Sequence, residues 1–398
     1  MFIIALLTLL IRIAQCDHHN RTNQLPNRST IVHLFEWKWK DIADECERFL
    51  APHGFGGVQI SPPSENVIIH LQDNTRPWYE RYQVMSYKLV TRSGNREEFL
   101  NMTRRCNKVG VRIYADVVFN HMTADNSNNI GTAGSTADFK KYSYPAVPYT
   151  EEHFHHPFCA INNYNNVTEV EAELRNVFRG NNPLKWLVSW GEQWELLPSD
   201  SALAFIDNHD TQRTGNALTY KEARAYKAAI AFMLAHPYGE PRLMSSYFFN
   251  NSDQGPPSDS SENIISPSIN KDDTCGNGWV CEHRWRQIYH MVAFRNAVGK
   301  ETIRNWWDNG HNQIAFSRGN KGFIAFNVEG RKLNETLQTG LPPGNYCDVI
   351  TGKRRGNSCT GGKVTVRKDG YASINLPGNA EDMHLAIHIG RESSLQAR

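Results

Sequence analysis

Short apolar runs alternate with longer amphipathic segments along the first third of the chain. The runs "TIVHLFEW", "GFGGVQISPP" and "VRIYADVVFNH" have the length and composition of buried strands. The segments between them carry apolar residues at helical spacing and stop at Gly54 and Gly110. Because strands and helices alternate, this region predicts βαβ units and a parallel sheet.

Two further changes of pattern follow in the rest of the chain. From Met122 to Val170 the periodicity is lost and Asn, Gly, Tyr and Pro predominate. This composition predicts a long irregular segment that runs over the strand ends, which we call the excursion. The runs "LAFIDNHD" and "RLMSSYF" then resume the strand pattern on either side of a helical segment at 220–239. Short alternating segments with glycine-rich turns predict an antiparallel β-domain over 300–398, which we expect to fold on its own.

Polar side chains stand where the predicted strands end. Glu36 follows the first strand, Asp116, Asn120 and His121 follow the third, and Asp210 follows "LAFIDNH". In a (β/α)8 barrel, catalytic groups cluster at the carboxyl ends of the strands. The chain shows five such strands, whereas the barrel needs eight at about 31 residues for each unit. Three units, roughly 95 residues, are therefore expected to be absent.

Composition narrows the class of protein. The net charge of +2 gives no basic field that would favour nucleic acid, and no segment is apolar for long enough to span a membrane. Residues 1–16 contain a short apolar run that predicts a signal peptide, although Arg12 inside the run leaves a buried helix as the alternative. Six Asn-x-Ser/Thr sequons agree with a secreted glycoprotein: Asn20, Asn27, Asn101, Asn166, Asn250 and Asn334.

The cysteine count is odd once the signal peptide is removed. Cys16 leaves with that peptide and seven cysteines remain, so one thiol has no intramolecular partner in an oxidising compartment. Cys275 and Cys281, like Cys347 and Cys359, are close enough in sequence to close small loops. The connectivity stays open at this stage.

Seven long segments resemble the animal α-amylases, the chloride-dependent branch of the α-amylase family. Among them are "RPWYERYQVMSYKLVTRSGN", "FIDNHDTQR" and "GWVCEHRWRQIYHMVAFRN", and together they cover nearly all of Thr30 to Ile389. The resemblance implies a TIM barrel, (β/α)8, at 17–299, with a loop domain inserted after strand 3 at about 122–170, and a C-terminal antiparallel β-sandwich at 300–398. It also implies secretion and hydrolysis of internal α-1,4-glucosidic bonds of starch and glycogen, with retention of configuration.

That reaction needs two carboxylates about 5–5.5 Å apart, one as nucleophile and one as proton donor. In the family they stand in a Gly-Phe-Arg-x-Asp-Ala stretch and a Gln-Glu-Val-x-Asp stretch, and neither stretch occurs in this sequence. Asp210 matches the family's third carboxylate, which holds sugar hydroxyls and stabilises the transition state. The resemblance places the missing block near 171–173, so barrel strands 4 to 6 are expected to be absent and the chain is expected to be inactive as written.

The resemblance assigns further roles by position. Sugar-contacting positions are matched by Trp78, Tyr79, Tyr82, His121 and His209. Chloride ligands are matched by Asn208 and Arg242 and a calcium ligand by Asn120, so both ion sites are expected to be incomplete. Disulfides are expected among Cys46, Cys106, Cys275, Cys281, Cys347 and Cys359, with Cys159 unpaired because its family partner falls in the missing block. The implied partner is an α-glucan bound by a monomer, without nucleic acid or membrane.

Alternatives remain open for the site and for the function. Without the resemblance, Asp210 would pair with Asp116 or with Glu36 as a catalytic dyad, whereas the resemblance makes those two hydrogen-bonding members of the barrel mouth. The gene could encode a complete α-amylase whose internal coding segments are missing here. The chain could instead be a catalytically dead α-glucan-binding protein, or a secreted remnant whose β-sandwich serves as an interaction domain.

Overall fold

The structure is a computed structural model that describes residues 22–124, 129–154 and 174–396. Several sequence-based predictions lie outside these ranges: the signal peptide, the missing block near 171–173, the unpaired Cys159 and the sequons at Asn20 and Asn166.

Five parallel strands form one sheet in the described part of the chain, and all five were predicted from the apolar runs. They pair in the order β3-β2-β1-β5-β4, so the last strand in sequence, β5, lies between β1 and β4. The strands are β1 (Ile31–Leu34), β2 (Gly57–Ile60), β3 (Arg112–Ala115), β4 (Leu203–Ala204) and β5 (Glu240–Ser245).

The helices connect and cover these strands where the periodicity predicts them. A capping box fixes the start of the second helix, because the Asn95 side chain accepts from the backbone of Glu98 while the Glu98 carboxylate accepts from the Asn95 N–H. The helices are α1 (Trp39–Glu45, continued by a π-helical turn at Cys46–Leu50), α2 (Arg96–Lys108), α3 (Thr211–Thr214), α4 (Ala223–Ala235) and α5 (Arg286–Val298).

The two faces of the parallel sheet differ in chemistry. Val32, Leu34 and Ile60 are fully buried in the apolar core that includes the helices. The opposite face is polar: His33 lies beside Gln59 in register, and Arg242 Nη1 donates to Gln59 Oε1 at 2.9 Å. Because side chains alternate along a strand, each apolar run also delivers polar groups to the inner face and its carboxyl end.

The excursion after β3 packs against the barrel through a small apolar cluster of its own. Val84, Val118, Met122 and Tyr144 are its buried members. Short 3-10 turns at Phe139–Lys141 and Glu151–His153 are the helical elements of its described part.

The C-terminal part is antiparallel, as the alternating segments predict. Its largest sheet has the order β15-β8-β7-β6 and is covered on one side by two-stranded sheets. The strands are β6 (Ile303–Asp308), β7 (Gln313–Arg318), β8 (Gly322–Asn327), β9 (Leu333–Gln338), β10 (Gly344–Cys347), β11 (Arg354–Arg355), β12 (Ser358–Cys359), β13 (Lys363–Val366), β14 (Tyr371–Leu376) and β15 (His384–His388).

The other face of that large sheet is buried against the barrel helices. The Phe232 ring on α4 lies 6.1 Å from the Phe316 ring and 6.0 Å from the Phe326 ring, between centroids. The buried Arg318 guanidinium also donates to the Ala235 carbonyl. Since one apolar core spans both parts, we expect them to unfold together, in contrast to the independent folding expected from the sequence.

Three disulfides form among the six cysteines predicted to pair. Cys46–Cys106 joins the end of α1 to α2, and the other two bonds close small loops: Cys275–Cys281 and Cys347–Cys359. In the described ranges, no helix is long and apolar enough to cross a membrane.

Candidate functional site

Aromatic side chains gather where β1, β2 and β4 end. The segment Trp78–Tyr82 forms a 3-10 turn after Pro77, and the rings of Trp78 and Tyr82 contact His209 in the "DNHD" segment after β4. Tyr79 meets Trp78 edge-on and packs on the apolar cluster of Val67, Ile69 and Met85. The Tyr82 ring stacks on the His209 ring at 5.2 Å, with an angle of 7° between their planes, and Trp78 meets His209 edge-on at 5.6 Å. We call Trp78, Tyr79, Tyr82 and His209 the aromatic platform.

One buried ring supports the platform. Phe35, at the end of β1, is fully buried and stacks on His209 at 5.4 Å. Trp78, Tyr79 and Tyr82 are only half-buried, so their rings remain accessible to a ligand. Partly exposed aromatic faces beside polar groups suit ligands that present both C–H and O–H groups.

A hydrogen bond holds the Tyr82 ring in place. Its hydroxyl donates to Asp116 Oδ2 at 2.8 Å. Burial and the neighbouring Asp116 carboxylate raise the pKa of Tyr82 well above its ordinary value, so the phenol stays protonated and remains a donor. His121 is exposed beside the platform, and its Nε2 lies 2.9 Å from the Tyr82 carbonyl oxygen.

The segment that carries Asp210 is shaped by Asn208. The Asn208 Oδ1 accepts from the backbone N–H groups of Asp210 and Thr211, both at 2.8 Å, and this turn leads into α3. The Asp210 side chain is 62% exposed, and its Oδ2 lies 3.6 Å from His209 Nε2. Burial lowers the pKa of His209 to about 4, so its ring is neutral near pH 7. Asp210 is therefore a carboxylate open to solvent beside a neutral imidazole.

Both alternative partners of Asp210 are engaged by other side chains. Glu36 is buried and its Oε2 accepts from Arg81 Nη1 at 3.0 Å. Its backbone is left-handed at φ 65°, and its N–H donates to Ser61 Oγ at 2.9 Å, which stabilises this conformation. The Asp116 carboxylate accepts the Tyr82 hydroxyl. Both groups therefore serve the architecture of the strand ends.

The predicted ion ligands have different surroundings. Asn120 is exposed, and no group of three or more His, Cys, Asp or Glu side chains in the described ranges could hold a metal ion. The assignment of Asn120 to calcium stays a prediction. Arg242 donates to Gln59 and its guanidinium lies 4.4 Å from the Phe205 ring centroid, while the Asn208 oxygen caps its own turn. The assignment of these two residues to chloride stays a prediction.

Arg213 is a member of the site that sequence reasoning missed. Its guanidinium lies among the rings of Phe35, Trp78, Tyr247 and Phe249, at 4.4 to 5.5 Å from their centroids. Arg213 is the last residue of the family-like segment "FIDNHDTQR" and lies four residues after His209, but neither signal assigns it a role.

A parallel sheet with carboxylate and aromatic groups at the strand ends, followed by an antiparallel β-domain, is an architecture of glycoside hydrolases. Residues 304–388 match the family model described as the α-amylase C-terminal all-beta domain. The α-amylase of Tribolium castaneum is 46% identical over 91% of this chain and 94% of its own length. An α-amylase-related protein of Drosophila pseudoobscura pseudoobscura is 44% identical over 98% of both chains.

Solved structures of α-amylases are also similar to this chain. Wild-type α-amylase I of Eisenia fetida is similar with a TM-score of 0.83 and 35% identity, over 92% of this chain and 98% of that one. A mutant of the same enzyme in complex with maltohexaose gives a TM-score of 0.84. The chain belongs to the α-amylase family, in its animal branch. Its fold class is the predicted one, a TIM barrel with a C-terminal all-β domain.

Proposed function

We propose that this chain binds α-1,4-glucans at the aromatic platform and does not hydrolyse them at a useful rate. The observation that carries this function is the stacked Tyr82–His209 pair with Trp78 edge-on to it, beside the exposed Asp210. Rings offer apolar faces to the C–H side of a glucose unit, while Asp210 and His121 offer hydrogen-bonding groups to its hydroxyls. The bound maltohexaose of the Eisenia fetida relative supports this ligand class.

The chemistry of hydrolysis argues against efficient turnover. Retention requires a nucleophile and a proton donor on opposite sides of the scissile bond. Among the carboxylates at the described strand ends, Glu36 pairs with Arg81, Asp116 accepts from Tyr82, and the buried Asp207 accepts from the Tyr226 hydroxyl. Asp210 is the exposed carboxylate that remains. The loss of a nucleophile or of a general acid alone costs orders of magnitude in rate.

An internal block absent from this chain accounts for that pattern. The alignment with the Tribolium castaneum enzyme extends over 467 positions, 69 more than the 398 residues of this chain, although it covers 91% of the chain. At least that many positions of the relative therefore have no counterpart here. We place them between the excursion and residue 174, where the family's nucleophile and acid stretches would stand.

The cofactors and compartment are part of the same proposal. By resemblance the chain retains part of a calcium site at Asn120 and part of a chloride site at Asn208 and Arg242, and we expect both sites to be incomplete. Three disulfides require an oxidising compartment and support secretion. A monomer is expected from the family resemblance.

Binding and hydrolysis are tested separately on the same purified protein. Titration calorimetry with maltohexaose should show saturable binding, and the β-1,4-linked cellohexaose, matched in size, should bind much more weakly. Trp78→Ala should abolish most of the maltohexaose signal. Equal binding of both sugars, or of the variant and the parent chain, would contradict a specific glucan site. Release of reducing ends from starch at ordinary turnovers of ~1–10³ per second would contradict the predicted inactivity.

A second candidate is hydrolysis by a longer product of the same gene, which the extra aligned positions favour. Amplifying the transcript across the codons for Val167 to Phe178 decides this. A longer product that encodes Gly-Phe-Arg-x-Asp and Gln-Glu-Val would make the complete protein a hydrolase. A short product alone would leave glucan binding as the function.

A further inference from the structure

The guanidinium of Arg213 uses all three of its nitrogens to join separate segments at the strand ends. Nε donates to the Ser252 carbonyl at 3.0 Å, Nη1 to the His209 carbonyl at 3.0 Å, and Nη2 to the Tyr247 hydroxyl at 2.8 Å. Ser252 and Tyr247 belong to the loop after β5, whereas His209 ends the β4 segment. Arg213 therefore crosslinks two neighbouring strand-end loops.

Trp78 belongs to the same network although it comes from the loop after β2. Its indole Nε1 donates to the Ser252 carbonyl at 2.9 Å, the same oxygen that accepts from Arg213. The Arg213 guanidinium also lies 5.0 Å from the Trp78 ring centroid. The indole is thus held at its edge by a shared acceptor and at its ring by a cation.

The positive charge of Arg213 is met by oxygens and aromatic faces. Phe249 is closest, at 4.4 Å, followed by Trp78, Phe35 and Tyr247. A planar guanidinium stacks on aromatic faces while its N–H groups donate in a fixed fork within its own plane, a geometry that the compact ammonium group of a lysine does not reproduce. The identity of the residue matters here as well as its charge.

We propose that Arg213 is a positioning residue for glucan binding, which locks Trp78 and His209 into one preformed sugar-facing surface. This role rests on the proposed function and adds the residue that organises the site. Preformed surfaces bind more tightly because their side chains lose less freedom when the ligand arrives. In this proposal Arg213 acts through Trp78 and His209.

Three variants separate positioning from general stability. Arg213→Lys keeps the charge but loses the three-way donation. Tyr247→Phe removes one of the three acceptors and keeps the ring. Lys221→Gln is the matched control, because Lys221 Nζ lies 3.8 Å from the same Phe249 ring but has no contact with Trp78 or His209 among the described residues. Each variant is compared with the parent chain by maltohexaose calorimetry, near-ultraviolet circular dichroism and Tm.

Arg213→Lys should weaken maltohexaose affinity at least tenfold and reduce the near-ultraviolet signal, and Tyr247→Phe should weaken affinity severalfold, while Lys221→Gln changes neither. If Arg213→Lys does not fold, Tyr247→Phe decides on its own. Unchanged affinity in a folded Arg213→Lys or Tyr247→Phe variant, with binding intact in the parent chain, would overturn the role of Arg213 alone. No binding by the parent chain would overturn the proposed function and this role with it.

Discussion

The imidazole ring of His209 lies parallel to the phenol ring of Tyr82, with centroids 5.2 Å apart. The two residues are 127 positions apart in sequence and belong to different strand-end loops, so the stack exists only because β5 and β1 bring β4 and β2 towards each other. Burial lowers the pKa of His209 to about 4 and raises that of Tyr82. Two neutral rings therefore stack without charge near pH 7.

Tyr82→Phe tests the hydrogen bond that orients this stack. The substitution removes the donor to Asp116 Oδ2 and keeps the ring. We expect a loss of about 1.5–3 kcal/mol in the free energy of unfolding, because a hydrogen bond to a partly buried carboxylate is lost. Urea titration measures this change. Tyr371→Phe is the control, since that ring is exposed, and a larger loss for Tyr371→Phe than for Tyr82→Phe would contradict the expectation.

Glu45→Gln tests a buried ion pair behind the barrel. Glu45 accepts from Arg284 at 2.6 Å and from His283 at 2.9 Å, and all three side chains are buried. Burial alone would raise the pKa of Glu45, but the hydrogen bonds from His283 and Arg284 prevail and lower it. Its contribution to stability is therefore present above about pH 4.3, the unfolded value, and is lost as the pH falls through the folded value.

Removal of that charge leaves Arg284 without its carboxylate in the core, so we expect Glu45→Gln to cost about 3–5 kcal/mol. The control is Glu47→Gln, whose carboxylate pairs with Arg105 at the surface and should contribute about 0–1 kcal/mol. Chemical denaturation of both variants at pH 7 makes the comparison. Equal losses would mean that burial does not decide the strength of these pairs.

Acid should destabilise the fold because several buried histidines are neutral. Burial lowers their pKa values to about 3 or 4, so between pH 6.5 and 4 the unfolded chain binds more protons and stability falls as the pH falls. Each can contribute up to about 1.4 kcal/mol for each pH unit. Protonation of Glu282 has the opposite effect on stability. Because burial raises its pKa to about 7, the folded chain binds this proton more readily than the unfolded chain as the pH falls. The histidines are His209, His236, His290, His384 and His388.

His384→Phe isolates one of these contributions. The His384 ring is buried and stacks on Phe326, so a phenyl ring replaces it with little change in shape. We expect the stability of the variant, measured by urea titration from pH 7 to 4.5, to fall less steeply with acid than that of the parent chain. His311→Gln, at an exposed position, should leave the slope unchanged. An identical slope for His384→Phe would show that His384 is not neutral in the folded chain.

Phe232→Ala tests whether the barrel and the C-terminal domain share stability. The Phe232 ring on α4 packs on Phe316 and Phe326 of the β-domain. We expect a loss of about 3–5 kcal/mol and one cooperative transition in calorimetry for the parent chain and the variant. Phe119→Ala is the control, because Phe119 is 75% exposed and its loss should change stability little. Two separate transitions in the parent chain would restore independent folding of the β-domain.

The sequence by itself determined the local elements, because their signals are local. Period-two and helical spacing predicted the five parallel strands, α2 and the antiparallel character of 300–398. Cysteines close in sequence indicated that small disulfide loops could form. The long motifs identified the family and placed Trp78, Tyr82 and His209 at one site. These features depend on neighbouring residues or on whole motifs, and both can be recognised in the sequence.

Only the tertiary structure decided how those elements cooperate. Arg81 pairs with the buried Glu36, the Phe232 contacts join the β-domain to the apolar core of the barrel, and Arg213 links three loops. Each relation joins residues distant in sequence, and the Arg213 network depends on the strand order that places β5 between β1 and β4. Periodicity along the chain does not encode the order of the strands in the sheet, because an apolar strand is buried equally well beside any neighbouring strand.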